Sequence, residues 1–383
     1  SWPDERRTGE RLAARQSASP TGFNGELFVA PESDRTLLRY RVGPNNPPYL
    51  ADHIVFEQQI LPSPAYIEMI VDSYRQLTHG GMHQGIEISD FAIHDAMRFE
   101  TPDLEEFVVS LDVTAGHAAS PFRVLRNDPN TAGWAGLVSG KISALTDTEF
   151  ATDLAIADTK KRLGSATPGA ELYQKLAAIG LDFGDQFQCL RRSWRSGNEA
   201  FAEVALPVSI EGAADRHLIH PALLDSCFHL LGVLSFSDDD AQPYLLIAID
   251  RLRALASLPD RLWVHARLDA NAASQTVTAN MSLYDDEGRQ CAAIDGIHLR
   301  RASSEQLRQS ESRTNSDLWY GVEWQDFVLP TDSVLRTDLV VENLPGDVSA
   351  TTGKLLDEYQ IAEYEKQIEQ LEDIALSFAC NAL

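Results

Sequence analysis

The stretch YLADHIVFEQQILPSPAYIEM, residues 49–69, decides how the rest of the chain reads. It opens with His53 at the head of an apolar, extended run, Ile54-Val55-Phe56. Pro62 and Pro64 then introduce Tyr66, Ile67, Ile70, Val71, Tyr74 and Leu77 at helical spacing. Proline suits the first turn of a helix, where its missing N–H has no intrahelical partner anyway. The pattern predicts a strand or turn carrying His53, then a buried helix ending near His79-Gly80-Gly81, where glycine favours a C-terminus. An imidazole is thereby placed near an apolar helix and its free N–H groups. Alone, such a histidine is equally compatible with an inert side chain hydrogen-bonded at a strand start.

A second stretch, HPALLDSCFHLLG at residues 220–232, changes its weight. This is another proline-led apolar helix, but with Asp225 among leucines and His229 one turn later. A carboxylate in such a setting is expensive unless it is paired or protonated. The alternatives are that Asp225 faces solvent or caps the helix. His229, at i+4, shares its helix face and is placed to hold or charge-balance it. His220 is expected to orient the helix start, with Pro221 in its first turn.

Around each helix the same order of elements recurs. Before the first come GELFVA (25–30) and TLLRYRV (36–42); after it come strand-like runs at 86–99, 106–115, 121–127 and 133–145. Before the second come a helix at 171–180, LDFGDQFQCLRRSW (181–194) and FAEVALPV (201–208); after it come runs at 244–255, 261–270, 276–288 and 291–301. Runs of alternating apolar residues separated by short turns indicate antiparallel sheet. The expected fold class is α+β, a double hot dog, each half an antiparallel sheet wrapped around a central helix. The expected divisions are 1–22 as an extension, 23–155 and 156–305 as the two halves, and 306–383 as a linker and helical segment. Residues 146–168 read as polar connection. In the last segment, 319–327 reads as a short strand, and Ile361, Tyr364, Ile368, Leu371 and Phe378 form one helical face.

Composition narrows the function. The chain has 383 residues, 44% apolar and 23% charged, as in ordinary globular proteins. A net charge of −25 argues against nucleic acid and against anionic membrane surfaces. An anionic partner would need a local basic patch, such as Arg191-Arg192-Arg195 or Arg300-Arg301. No apolar run reaches the ~18 residues of a membrane span, and the start lacks a signal segment, so a cytoplasmic location is expected. Cys189, Cys227, Cys291 and Cys380 are too scattered for a zinc site or a disulfide framework.

One imidazole and one buried carboxylic acid suit the elimination of water from a β-hydroxyacyl thioester. The imidazole takes the proton α to the carbonyl, and the acid protonates a hydroxyl that cannot leave as hydroxide. Burial is expected to raise the carboxyl pKa so that it carries a proton at neutral pH. A helix N-terminus aimed at the carbonyl would stabilise the developing enolate.

These residues resemble the dehydratase domains of modular type I polyketide synthases, from about Pro48 to Arg301. Leu50-Ala51-Asp52-His53 with Pro62 and Tyr66-Ile67-Glu68-Met69 is similar to the family's catalytic-histidine motif. Gly180-Leu181-Asp182-Phe183-Gly184-Asp185-Gln186-Phe187 is similar to its tyrosine-glycine-proline motif. His220-Pro221-Ala222-Leu223-Leu224-Asp225 with His229 is similar to its catalytic-aspartate motif, and Tyr244-Leu245-Leu246-Ile247 lies where a leucine-proline motif is expected. Departures are Glu57 for a glycine, Phe183 for the tyrosine, and Asp185 and Leu246 for prolines. If the tyrosine hydroxyl supports the aspartate, that support is missing here, and His229 would compensate.

The resemblance implies His53 as base and Asp225 as acid, supported by His229, Phe183, Gly184, Pro62, His220 and Pro221. It implies no metal or redox cofactor. The substrate would be carried on the phosphopantetheine arm of an acyl carrier protein, beside adjacent synthase domains, in a homodimer. Trp319 to Trp324 resembles the segment closing these domains, and the tail resembles the start of a C-methyltransferase region. Rival readings are an enoyl isomerase, an oxygen-heterocycle-forming cyclase, a product-template cyclase, and a degenerate structural spacer. Cys227 lacks an oxyanion loop and reads as core. His79 and His83 are separated by Gly80-Gly81 and do not read as a metal pair. Asp238-Asp239-Asp240 reads as a solvated turn, and Gly133, Gly136 and Gly140 do not form a phosphate loop.

Overall fold

In the computed structural model, the described residues are 23, 25–29, 36–79, 84–113, 119–128, 133–145, 153–210, 217–235, 243–269 and 276–301. The expected extension at 1–22, the segment 306–383 with its strand and helical face, Cys380, His83 and Asp238 to Asp240 lie outside them. In the first half, strands β1 (Glu26–Val29), β2 (Thr36–Val42), β3 (His53–Val55) and β4 (Gln58–Gln59) precede helix α1 (Ser63–Thr78). Strands β5 (Ile86–Ile93), β6 (Glu105–Leu111), β7 (Ser120–Asp128) and β8 (Gly133–Ala144) follow it. The second half opens with helix α2 (Ile156–Leu163), β9 (Thr167–Pro168), helix α3 (Gly169–Ala178) and β10 (Leu181–Phe183). Then come β11 (Leu190–Ser196), β12 (Glu199–Ala205), helix α4 (Pro221–Ser235), β13 (Tyr244–Ala254), β14 (Arg261–Leu268), β15 (Thr276–Tyr284) and β16 (Gln290–Arg301).

Thirteen strands form one antiparallel sheet in the order β1-β2-β6-β7-β8-β5-β13-β16-β15-β14-β12-β11-β9. The two halves join where β5 pairs with β13, Ile86 opposite Ala254 and Ala92 opposite Ala248. Helix α1 packs on β6, β7 and β8, α4 on β11, β12 and β14, and the two helices touch each other. This is the double hot dog. Alternation sets the inner face: in β2, Leu38, Tyr40 and Val42 are buried while Arg41 is exposed. Among the described residues no helix is long and apolar enough to cross a membrane.

Helix α1 is buried over nearly its whole length, and both of its carboxylates are paired inside. The Tyr40 hydroxyl donates to Asp72 Oδ2 at 2.7 Å, and Glu68 accepts from the Leu218 N–H, 3.3 Å from Oε2. Glu68 is also 3.5 Å from His217 Nδ1. Helix α1 therefore holds the segment that leads into α4.

Two readings of the sequence need correction. Residues 156–163 are a helix, not polar connection. Helix α2 lies against β11 and β12 on the outer face of the sheet, where Leu163 joins Trp194, Phe201, Trp263 and Tyr284 in a second apolar cluster. The Lys160 ammonium sits 3.6 Å from the centre of the Trp263 ring. This cover explains why Ala200 to Val204 are buried on both faces of β12. Second, the Arg191-Arg192-Arg195 run is exposed but not wholly free, being tied to its surroundings by side-chain bonds. Arg192 pairs with Glu203 at 2.6 Å, Arg191 donates to the Leu206 carbonyl at 3.1 Å, and Arg195 donates to Val233 and Leu234.

Candidate active site

His53 sits where a short 3-10 turn, Pro48–Asp52, gives way to β3. Its Nδ1 is 2.7 Å from the Ile60 carbonyl oxygen. A carbonyl only accepts, so Nδ1 carries the proton and Nε2 is left with its lone pair free. Burial is the main force on this imidazole and lowers its pKa below the ordinary value, against the pull of Asp225. Nε2 lies 3.6 Å from Asp225 Oδ2.

Asp225 is 7% exposed, which removes the solvent-facing alternative. His229, one turn along α4, has Nε2 2.8 Å from the same Oδ2. One carboxylate oxygen thus faces both imidazoles. The expectation that burial leaves this acid with a raised pKa is overturned. Burial does push it upward, but the His229 imidazole, its hydrogen bond and the His53 imidazole outweigh that push and hold the carboxyl below its usual range. His229 Nδ1 is buried and finds no hydrogen-bond partner among the described residues.

The supporting residues fall around this trio. Helix α1 begins after Pro62, which caps it in an extended conformation with no side-chain hydrogen bond. Helix α4 begins at Pro221, and His220 Nδ1 accepts the Ala222 N–H at 3.2 Å. Burial, and then His217, push the His220 pKa down to about 3, which keeps that nitrogen an acceptor. Phe183 stacks on His229 with ring centres 4.0 Å apart and stands 5.3 Å from His53. It offers no hydroxyl, so Asp225 takes its hydrogen bond from His229.

The sequence reading missed what fastens the two halves here. Strand β10 pairs antiparallel with β3, putting Phe183 opposite His53. Asp52 clamps the following loop: its carbonyl accepts from Gly184 N–H and its Oδ2 from Gln186 N–H, each at 2.8 Å. A Cβ at Gly184 would collide with the Asp52 carboxyl, so only glycine fits. Ser226 adds a second tie, donating to the Phe187 carbonyl at 2.7 Å and accepting from Cys189 N–H at 3.2 Å. An acid directly before the histidine, and a serine directly after the aspartate, were the available signals.

The trio lines a cavity of about 160 Å³ whose other walls are mainly apolar side chains. Tyr244, Leu245 and Leu246 of the expected leucine-proline segment are in its wall. Glu57 is not: it is exposed in the β3–β4 turn, where Phe56 and Glu57 take φ of 49° and 64°. Cys227 is fully buried, and burial keeps its thiol protonated. Gly136 and Gly140 lie within β8, and His79 caps the end of α1 in a left-handed conformation. Among the described residues no cluster of three or more His, Cys, Asp and Glu side chains is arranged to hold a metal ion.

Two family models match the chain. One, described as polyketide synthase dehydratase domain, matches residues 25–126; the other, described as polyketide synthase dehydratase N-terminal domain, matches residues 151–309. Polyketide synthase GfsE of Streptomyces halstedii is 28% identical over 348 residues, covering 88% of this chain and 9% of that protein. Mycoketide-CoA synthase of Mycobacterium tuberculosis is 24% identical over 325 residues, covering 80% of this chain and 7% of that protein. The chain therefore spans less than a tenth of these relatives. Among solved structures, the dehydratase domain from the CurK module of curacin polyketide synthase superposes with a TM-score of 0.67 at 21% identity, covering 75% of this chain and 99% of that one. The dehydratase domain from the CurF module gives 0.66 at 19% identity, covering 74% and 100%. Two dehydratase models matched in sequence, and a shared double hot-dog fold, lead to one conclusion: the chain belongs to the dehydratases of polyketide synthases.

Proposed function

We propose that this chain removes water from a 3-hydroxyacyl thioester carried by an acyl carrier protein, giving a 2,3-enoyl thioester. The observation that carries the reading is the shared oxygen: Asp225 Oδ2 faces His53 Nε2 at 3.6 Å and His229 Nε2 at 2.8 Å, in the wall of a mainly apolar cavity.

The thioester carbonyl docks at the first turn of α1, where Pro62 and Ser63 line the cavity. Free N–H groups at a helix start stabilise the charge that develops on that oxygen. The unprotonated Nε2 of His53 takes the α-proton. The electron pair left behind forms the new C=C bond. The β-hydroxyl takes a proton from the Asp225 carboxyl, and the C–O bond breaks to release water. This leaves an imidazolium facing a carboxylate, and one proton passed from Nε2 to Oδ2 restores the start. The acid must therefore hold a proton that it lacks in the ligand-free site. An acyl chain filling the cavity displaces water and raises the carboxyl pKa, favouring that uptake.

The adjoining domains follow from the relatives, which are far longer polyketide synthases; a homodimer belongs to the same reading. The two halves divide at 155/156, where α2 begins its cover of the second half.

The test incubates the purified protein with 3-hydroxyacyl pantetheine thioesters, and separately with their enoyl products, and follows mass for loss or gain of one water. Interconversion is expected. Folded protein that interconverts no chain sinks the reading, and unchanged turnover in His53→Ala sinks the assignment of the base.

A further inference from the structure

An ionised Asp225 is a buried anion, and such a charge is expensive unless a cation stands beside it. Two imidazoles face its Oδ2, His53 Nε2 at 3.6 Å and His229 Nε2 at 2.8 Å. One imidazolium balances the carboxylate; two would leave a buried net positive charge. His53 is the poorer choice. Its Nε2 stands beyond hydrogen-bond reach of the oxygen, and burial lowers its pKa.

The surroundings of His229 suit a cation. Phe183 lies against its ring with centres 4.0 Å apart and planes 25° from parallel. Neutral aromatic pairs keep their centres about 4.5–7 Å apart and prefer offset or edge contact, because their negative faces repel. A cation is drawn to such a face instead. The same phenyl ring meets His53 farther off, at 5.3 Å and 40°. Phe183 thus favours charge on His229 over charge on His53. Tyr173 of α3 stands across His229 at 87°, with ring centres 5.7 Å apart. Burial raises the pKa of its phenol, and pushes the Cys189 thiol near Asp225 up to about 12, so both are neutral. The charged groups around His229 are therefore Asp225 and, when it protonates, His53. Its Nδ1 is unmet whether it carries a proton or a lone pair, so the carboxylate and the stacked ring decide.

We propose that His229 is the proton store of the site, an imidazolium held between Asp225 and the face of Phe183, and that Phe183 is the positioning residue that keeps the charge there. The proposal rests on the dehydratase reading for where that proton goes. As His53 Nε2 takes the α-proton, the Nε2 proton of His229 passes along the 2.8 Å hydrogen bond to Asp225, and the carboxyl gives a proton to the β-hydroxyl. The C–O bond breaks, the electron pair from the α-carbon forms the C=C bond, and water leaves. His229 is then neutral and His53 charged. The proton on His53 crosses to Asp225 Oδ2 and returns to His229, which restores the start. An acid that is ionised at rest can therefore still deliver a proton.

The test records ring-nitrogen NMR spectra of the whole chain labelled with ¹⁵N-histidine, without ligand at neutral pH, with the His229 signals assigned by their loss in His229→Gln. Both ring nitrogens of His229 are expected to carry protons, and those of His53 only Nδ1. The pH dependence of kcat for a 3-hydroxyacyl pantetheine thioester is then compared in wild type, Phe183→Leu and Phe183→Tyr. Loss of the aromatic face in Phe183→Leu is expected to weaken the hold on the proton about tenfold, moving the alkaline limb of kcat down by about one pH unit; Phe183→Tyr, which keeps the face, leaves the limb in place. If Phe183→Leu does not fold, Phe183→Met makes the same comparison, and the wild-type spectrum needs no variant. A singly protonated His229 in the resting protein overturns the proposal. So does a Phe183→Leu protein that loses rate equally at every pH, the mark of a merely structural ring. A doubly protonated His229 in a protein that removes water from no substrate would instead overturn the dehydratase reading and leave the charge assignment standing.

Discussion

Helices α1 and α4 occupy the same place in the two halves, each proline-led and each wrapped by sheet, yet their buried polar groups do different work. In α1, Glu68 and Asp72 are spent on structure: Asp72 accepts from Tyr40, and Glu68 holds the Leu218 N–H beside His217. The proposed base of that half, His53, is not on the helix but upstream on β3. In α4, Asp225 and His229 pair with each other and open onto the cavity. A buried carboxylate is thus no marker of chemistry by itself. What separates the two is whether the partners leave an oxygen facing open space.

That contrast breaks most readily at the acid–base pair. Asp225→Asn and His53→Ala are each expected to lower the rate of water loss by about a hundred- to ten-thousand-fold, the usual worth of a positioned proton donor or acceptor. An Asp225→Asn protein that still migrates a double bond at the wild-type rate would favour isomerisation. Glu68→Ala should show the opposite profile. It leaves the Leu218 N–H without its acceptor and lowers unfolding stability by about 3 kcal/mol, read from urea denaturation. Turnover per folded molecule well below Tm should change far less than in the α4 variants; a loss as large as theirs would erase the distinction.

A third test concerns the histidine that caps α4. The pKa of His220 is about 3 in the native protein, so the unfolded chain binds a proton there first as pH falls below the ordinary imidazole value. Its contribution to stability is present above about pH 6.5 and is lost as pH falls toward the native value, by about 2 kcal/mol at pH ~5. Denaturation midpoints at the two pH values check it, and His220→Asn, which can keep the cap, should flatten the dependence. The smallest effect is expected at Glu57. Its φ of 64° is one that glycine adopts without strain, so Glu57→Gly should raise stability by up to about 1 kcal/mol and leave turnover unchanged, because the side chain does not line the cavity.

Much of this was legible in the sequence because two apolar helices, each opened by proline, stand out against strands with alternating side chains. The positions of His53 and Asp225 were legible too, but their union was not: nothing in periodicity brings together residues so far apart in the chain, and the resemblance supplied it. Helix α2 escaped because IADTKKRL buries only a few side chains, Leu163 and Thr159 among them, and its apolar partners lie on four distant strands. The ionisation of Asp225 escaped for a different reason. Burial was visible in the leucines around it, whereas the two imidazoles converging on one oxygen are a matter of tertiary distance.

The pairing of β3 with β10, locked by Asp52, also has a consequence for protein engineering. His53, the proposed base, and the loop that packs against it come from opposite halves and share one ladder of backbone hydrogen bonds. A hybrid enzyme joined at the boundary between the halves would take this ladder from two parents and ask a foreign aspartate to meet a foreign glycine. Such chimeras should work only when residues 50–60 and 180–188 travel together, so the natural unit of exchange is the whole double fold.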